Sequence, residues 1–230
     1  MEKHVLVVGG SSGIGRSVVE QLAGTKLTCW SRSSRGVETL PGVEWQCVDI
    51  EEDSALPALP DALHGLVYAP GTINLKPFRG LKPADWEREW KVNVMGAVRV
   101  LQHAESALKA GGGSVVLFST VAVSMGMPFH ASIAAAKGAV EGLGRSLAAE
   151  WAPIVRVNIV APSLTHTPLA SRLLDGAAKE EAAAGRHPLK RVSTAEEVAA
   201  CVVFLLSDQS AGMSGHILRP DGGMHAIKTF

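Results

Sequence analysis

Gly9, Gly13 and Gly15 crowd into the run Gly9-Gly10-Ser11-Ser12-Gly13-Ile14-Gly15, directly after the apolar stretch His4–Val8 and before a helical pattern that opens near Arg16. A buried strand that feeds a turn without side chains, with free helix N–H groups and a positive dipole end beyond it, can cradle a pyrophosphate. Gly9, Ser11, Ser12, Gly13, Ile14 and Gly15 are therefore the candidate contacts to a dinucleotide. The spacing is Gly-x-x-x-Gly-x-Gly, so the general fingerprint is met in kind but not in register. Where an acidic residue would hold a ribose 2′-hydroxyl, the second strand ends Trp30-Ser31-Arg32. Arg32 can pair with a 2′-phosphate, and Ser31 brings no carboxylate to repel it, which favours NADP(H) over NAD(H). A solvent-facing arginine is the plain alternative. Asp49 is placed either to bond an adenine edge or to cap the turn after it.

The elements that must position these groups alternate. Short apolar runs at Val5–Val8, Leu27–Ser31, Val43–Val48, Leu66–Ala69, Ser114–Ser119, Val155–Val160 and His216–Arg219 read as strands. Helical spacing recurs over Ile14–Ala23, Ala84–Lys109, Ala131–Trp151 and Ala195–Leu206. Parallel strands joined by helical crossovers give an α/β, doubly wound, mainly parallel seven-stranded sheet with helices on both faces. Between Val48 and Leu66, Pro57 and Pro60 limit any helix to a turn or two. Ala177–Gly185 reads either as a mobile helical flap near the site or as a plain surface helix.

With 230 residues, 22 basic and 22 acidic, the chain fits one domain spanning 1–230 and has no excess charge to attract nucleic acid or an anionic membrane. No leader or bilayer-length apolar run stands out, so the expectation is a cytoplasmic protein with a small-molecule substrate. Cys29, Cys47 and Cys201 are odd in number, lie in apolar segments and lack metal spacing, and read as reduced packing residues with no metal site. Ala134, Ala135, Gly138, Gly142 and Gly144 permit close approach by another helix, or by the chain's own sheet.

Along nearly its whole length the chain resembles the short-chain dehydrogenases/reductases. Gly9, Gly13 and Gly15 match their glycine turn, and Asp49-Ile50 is similar to their adenine-side motif. Tyr68-Ala69-Pro70-Gly71 occupies the place of their Asn-Asn-Ala-Gly segment, Asn93 matches their structural asparagine, and Lys137, Val157–Pro162, Thr167-Pro168 and Arg219–Gly223 come after it in order. The resemblance implies a Rossmann-like fold, a homo-oligomer (dimer or tetramer), and cofactor contacts from Ile50, Ala69, Gly71, Pro162, Thr165 and Thr167. It implies that Thr167 meets the nicotinamide carboxamide and that Asn93 and Lys137, which also serve the cofactor side, hold each other through water.

Two departures bear on chemistry. Ile133 stands four residues before Lys137, where the family places a tyrosine acid, and Thr120 takes the place of its serine. Isoleucine can supply no proton to a developing oxyanion, whereas a threonine hydroxyl still donates to one. His130, Lys137 itself or a water it holds, and more weakly His166, are the substitutes for the missing acid. Tyr68, the sole tyrosine, sits on the adenosine side and reads as packing. The catalytic candidates are thus Asn93, Thr120, His130 and Lys137. Two functions remain open at this level: an atypical NADP(H)-dependent oxidoreductase, or a catalytically silent NAD(P)-binding protein acting as redox sensor or inactive partner subunit.

Overall fold

In the computed structural model, which describes residues 3–228, strand and helix alternate from the first element onward. The order opens with β1 (His4–Val8), α1 (Gly13–Gln21), β2 (Lys26–Ser31), β3 (Val43–Cys47) and β4 (Gly65–Tyr68). It continues through α2 (Pro83–Trp90), a π turn over Lys91–Met95, α3 (Gly96–Gly111), β5 (Ser114–Phe118), the short α4 (Ala122–Met125) and α5 (Ala131–Glu150). It closes with β6 (Arg156–Val160), β7 (Thr165–His166), α6 (Ala177–Gly185), β8 (Ser193–Thr194), α7 (Ala195–Leu206) and β9 (Ile217–Leu218).

Seven strands pair in parallel in the order β3-β2-β1-β4-β5-β6-β9. Strands buried on both faces need no polar alternation, which is why β1 and β5 read as unbroken apolar runs. Successive residues serve opposite layers. Leu6, Val8, Leu66, Tyr68, Val115 and Leu117 pack with α3 and α5, while Val5, Val7, Val67, Val116 and Phe118 pack with α1 and α7. The chain turns back on itself between β1 and β4, and parallel sheets open a ligand crevice at the carboxyl ends of such neighbours.

Two expectations need correction. The span Ala84–Lys109 is not one regular helix, because Lys91–Met95 widen into the π turn. Two side chains take carbonyls from that ladder: the Tyr68 hydroxyl donates to Val92 O at 2.6 Å and the Asn93 amide donates to Glu89 O at 2.8 Å. The segment between Val48 and Leu66 stays within the limit expected from its prolines, with no helix and a turn closed by Glu52 N–H on Asp49 O. Cys47 is exposed rather than packed, since β3 is an edge strand, whereas Cys29 is buried and its thiol is pushed up to about 11 by desolvation. The short β7–β8 pair is also new, and Ala177–Gly185 is a largely exposed helix.

Candidate active site

A cleft of about 690 Å³ opens at the β1/β4 crevice, bordered by Gly9, Ser11, Ser12, Gly13, Ile14, Gly15, Ser31, Arg32, Asp49, Ile50, Ala69, Gly71 and Thr167. The glycine turn is shaped by necessity. Gly9 lies at φ +78°, and a Cβ on Gly15 would stand 2.3 Å from the Gly9 carbonyl. Beyond the turn, α1 starts from Ser12 with no side-chain cap and no acidic residue in its first turn. Its leading N–H groups and positive end are thus open to an anion, and the cradle fits the pyrophosphate of a dinucleotide.

At the end of β2, the Ser31 hydroxyl donates to Ser33 O and accepts from Trp45, so it offers the cleft neutrality rather than a donor. The exposed Arg32 side chain has no ion-pair partner among the described residues, and Arg35, which the sequence pattern did not single out, borders the same cleft. Asp49 accepts from Glu51 N–H at 2.9 Å, which makes it a turn cap that also borders the cleft.

A second cavity of about 320 Å³ adjoins the first and shares Ile14, Ala69, Gly71 and Thr167 with it. Thr120, His130, Ile133, Lys137, Pro162 and Thr165 border it. Ile133 and Lys137 lie one turn apart on α5, both buried. Thr120 accepts from Ala122 N–H at 3.3 Å and keeps its own proton for a ligand. His130 stands at the start of α5, its Nδ1 donating to Pro128 O. His166 instead faces Glu180 on α6, and it does not border the cavity. Tyr68 is sealed in the core and burial drives its phenol far upward, so it is no acid for this site.

Asn93 borders neither space but backs onto both through Gly71. A Cβ at Gly71 would lie 3.6 Å from both Asn93 Oδ1 and Lys137 Nζ. The Asn93 amide also donates to Thr72 Oγ1 at 3.0 Å. Burial lowers the Lys137 ammonium to about 8, with Glu89 opposing the drop. Glu89, 2 % exposed, was not singled out from sequence, because an acidic residue on an otherwise charged helix reads as a solvated face. Nor was the pair Ser163–His187. His187 Nδ1 donates to Ala183 O at 2.8 Å, so in the neutral ring Nε2 accepts from the Ser163 hydroxyl, also at 2.8 Å.

The sequence profile described as Enoyl-(Acyl carrier protein) reductase matches residues 9–225. The chain belongs to the short-chain dehydrogenase/reductase family. It is similar to L-xylulose reductase of Bos taurus, 32% identical with 97% of each chain covered. It is also similar to D-threitol dehydrogenase of Mycolicibacterium smegmatis, 30% identical over 96% of this chain and 92% of the relative. A short-chain type dehydrogenase/reductase from Mycobacterium ulcerans superimposes with a TM-score of 0.87 at 29% identity, covering 98% of this chain and 90% of the other. The fold is the Rossmann-like one of this oxidoreductase family, and no described helix is long and apolar enough to cross a membrane.

Proposed function

We propose that this short-chain dehydrogenase/reductase is an NADP(H)-dependent oxidoreductase of small carbonyl compounds or alcohols, which obtains its proton from Lys137, directly or through a held water. The observation that carries this reading is Lys137 itself: a buried ammonium, lowered to about 8, on the wall shared by the substrate-side cavity and the Gly71 boundary. A bound nicotinamide would supply the hydride. The chain's own residues do the rest: the glycine turn and the start of α1 take the pyrophosphate, Arg32 and Arg35 take the 2′-phosphate, and Thr120 orients the substrate oxygen. Burial lowers the Lys137 ammonium to about 8, closer to neutrality, where a proton donor is most effective. Relatives named for xylulose and threitol put short polyols and their ketones first in the assay panel.

Ile133 favours a second reading, a silent NAD(P)-binding protein, because its side chain stands at the cavity wall without a transferable proton. NADPH binding followed by turnover on the panel separates the two. Turnover lost in Lys137→Met but kept in His130→Ala supports the lysine reading. Carbonyl reduction gained only in Ile133→Tyr supports the silent one.

A further inference from the structure

Behind Gly71, buried polar atoms from separate segments stand with bonding capacity unused. Both carboxylate oxygens of Glu89 and Oδ1 of Asn93 are buried without a hydrogen-bond partner of normal geometry. The Lys137 ammonium, from α5, makes no hydrogen bond to protein among the described residues, and Glu89 is the one charged group that acts on it. Both α2 and the π turn pack against α5, so Glu89 and Lys137 lie on neighbouring elements and act on each other through space, without a direct ion pair. Burial raises the Glu89 carboxyl above its ordinary range, Thr72 and then Lys137 oppose that rise by favouring the charged form, and Asp85 and Arg88 act from its own helix with opposite signs. His130 shares the cavity wall with Lys137.

A carboxylate buried with no more than the Thr72 hydroxyl to support it is disfavoured unless a cation compensates it. Burial also works against the lysine, lowering its ammonium to about 8 while the Glu89 carboxylate opposes the drop. Each charge therefore makes the other tenable.

We propose that Glu89 is a positioning residue that keeps Lys137 charged at the inner wall of the cleft, so that the lysine does the work of the absent phenol. The inference rests on the oxidoreductase reading given above. In the reducing direction the carbonyl carbon gains the two electrons of a hydride from reduced nicotinamide. The O–H bond forms as an N–H bond of Lys137, or of a water it holds, breaks. The neutral amine then regains a proton from cleft water, drawn by the Glu89 carboxylate.

The test reads the Lys137 titration directly, by NMR of labelled lysine in the cofactor-free protein, with the signal assigned by Lys137→Arg. In the natural chain the midpoint is expected near 8. In Glu89→Gln it should fall by about one pH unit or more, and Glu89→Asp should restore part of the loss. The basic limb of the pH–rate profile for reduction should move the same way. An unchanged Lys137 midpoint in both folded variants overturns the proposal. Absence of turnover in every variant, with the midpoint shifted, overturns the oxidoreductase reading and leaves the electrostatic role of Glu89 in place.

Discussion

At the scale of single residues, the proposed preference for NADP(H) turns on Arg32. Arg32 borders the cleft with no ion-pair partner among the described residues, so on that proposal Arg32→Ala removes a charge-assisted contact of about 1.5–3 kcal/mol. NADPH affinity should fall roughly 10- to 100-fold while NADH affinity stays within about threefold, as read by calorimetry. Equal losses would defeat the assignment. The Ile133→Tyr variant belongs at the same scale: a phenol one turn from Lys137 should raise carbonyl reduction by ~10²–10⁴-fold if proton supply limits the natural chain. Much at this level was legible in advance. Gly9 and Gly15 announce themselves because the turn they shape depends on local spacing, and the place of Arg32 beside the cleft follows from the strand end it sits on. Glu89 and His187 do not, since their meaning comes from burial against segments distant in sequence.

Among the elements, the strand and helix order could be read closely because the inner strands β1, β4 and β5 are short, almost wholly apolar and buried. The π turn was illegible, as its cause is the Tyr68 hydroxyl reaching Val92 from a different strand. The Ser163–His187 bond has a comparable place in the fold. It ties the end of α6 to the loop after β6, and both side chains border the substrate-side cavity. Ser163→Ala leaves a buried imidazole nitrogen unpaired and should destabilise the protein by about 1–3 kcal/mol in denaturant unfolding. A change below about 0.5 kcal/mol would mean that water replaces the hydroxyl.

For the whole molecule, Lys137 couples stability to pH. Its folded value of about 8 lies below the ordinary 10.5, so between these values the unfolded chain binds more protons and stability rises with pH. The unfolding free energy of the natural chain relative to Lys137→Met should therefore increase by up to about 3 kcal/mol across that window. A flat difference would place the lysine in contact with water. Assembly is a second property at this scale. On α5, Gly144 meets Ile159 and Leu117 of its own sheet, which accounts for part of the small-residue pattern, whereas Gly142 has open space above it and Ala135 is exposed. Trp90 of α2 and Met95 of the π turn, elements that pack against α5, are also exposed, and together with that outward face they favour the proposed homo-oligomer. Light scattering at micromolar concentration should give a dimer or tetramer, and a monomer would reject it.

The π turn also sets an angle. A single surplus residue in a helix amounts to a rotation of about 100° between the segments on its two sides. Deleting Lys91 should let Pro83–Gly111 close into one uninterrupted rod, and the half ahead of the deletion would swivel, swinging the Glu89 carboxylate out of its enclosure while the glycine-lined crevice at β1 stays intact. On the proposed oxidoreductase reading, the molecule would then keep its grip on a coenzyme but lose the counter-charge at its heart, and one peptide unit would part holding a ligand from acting on it.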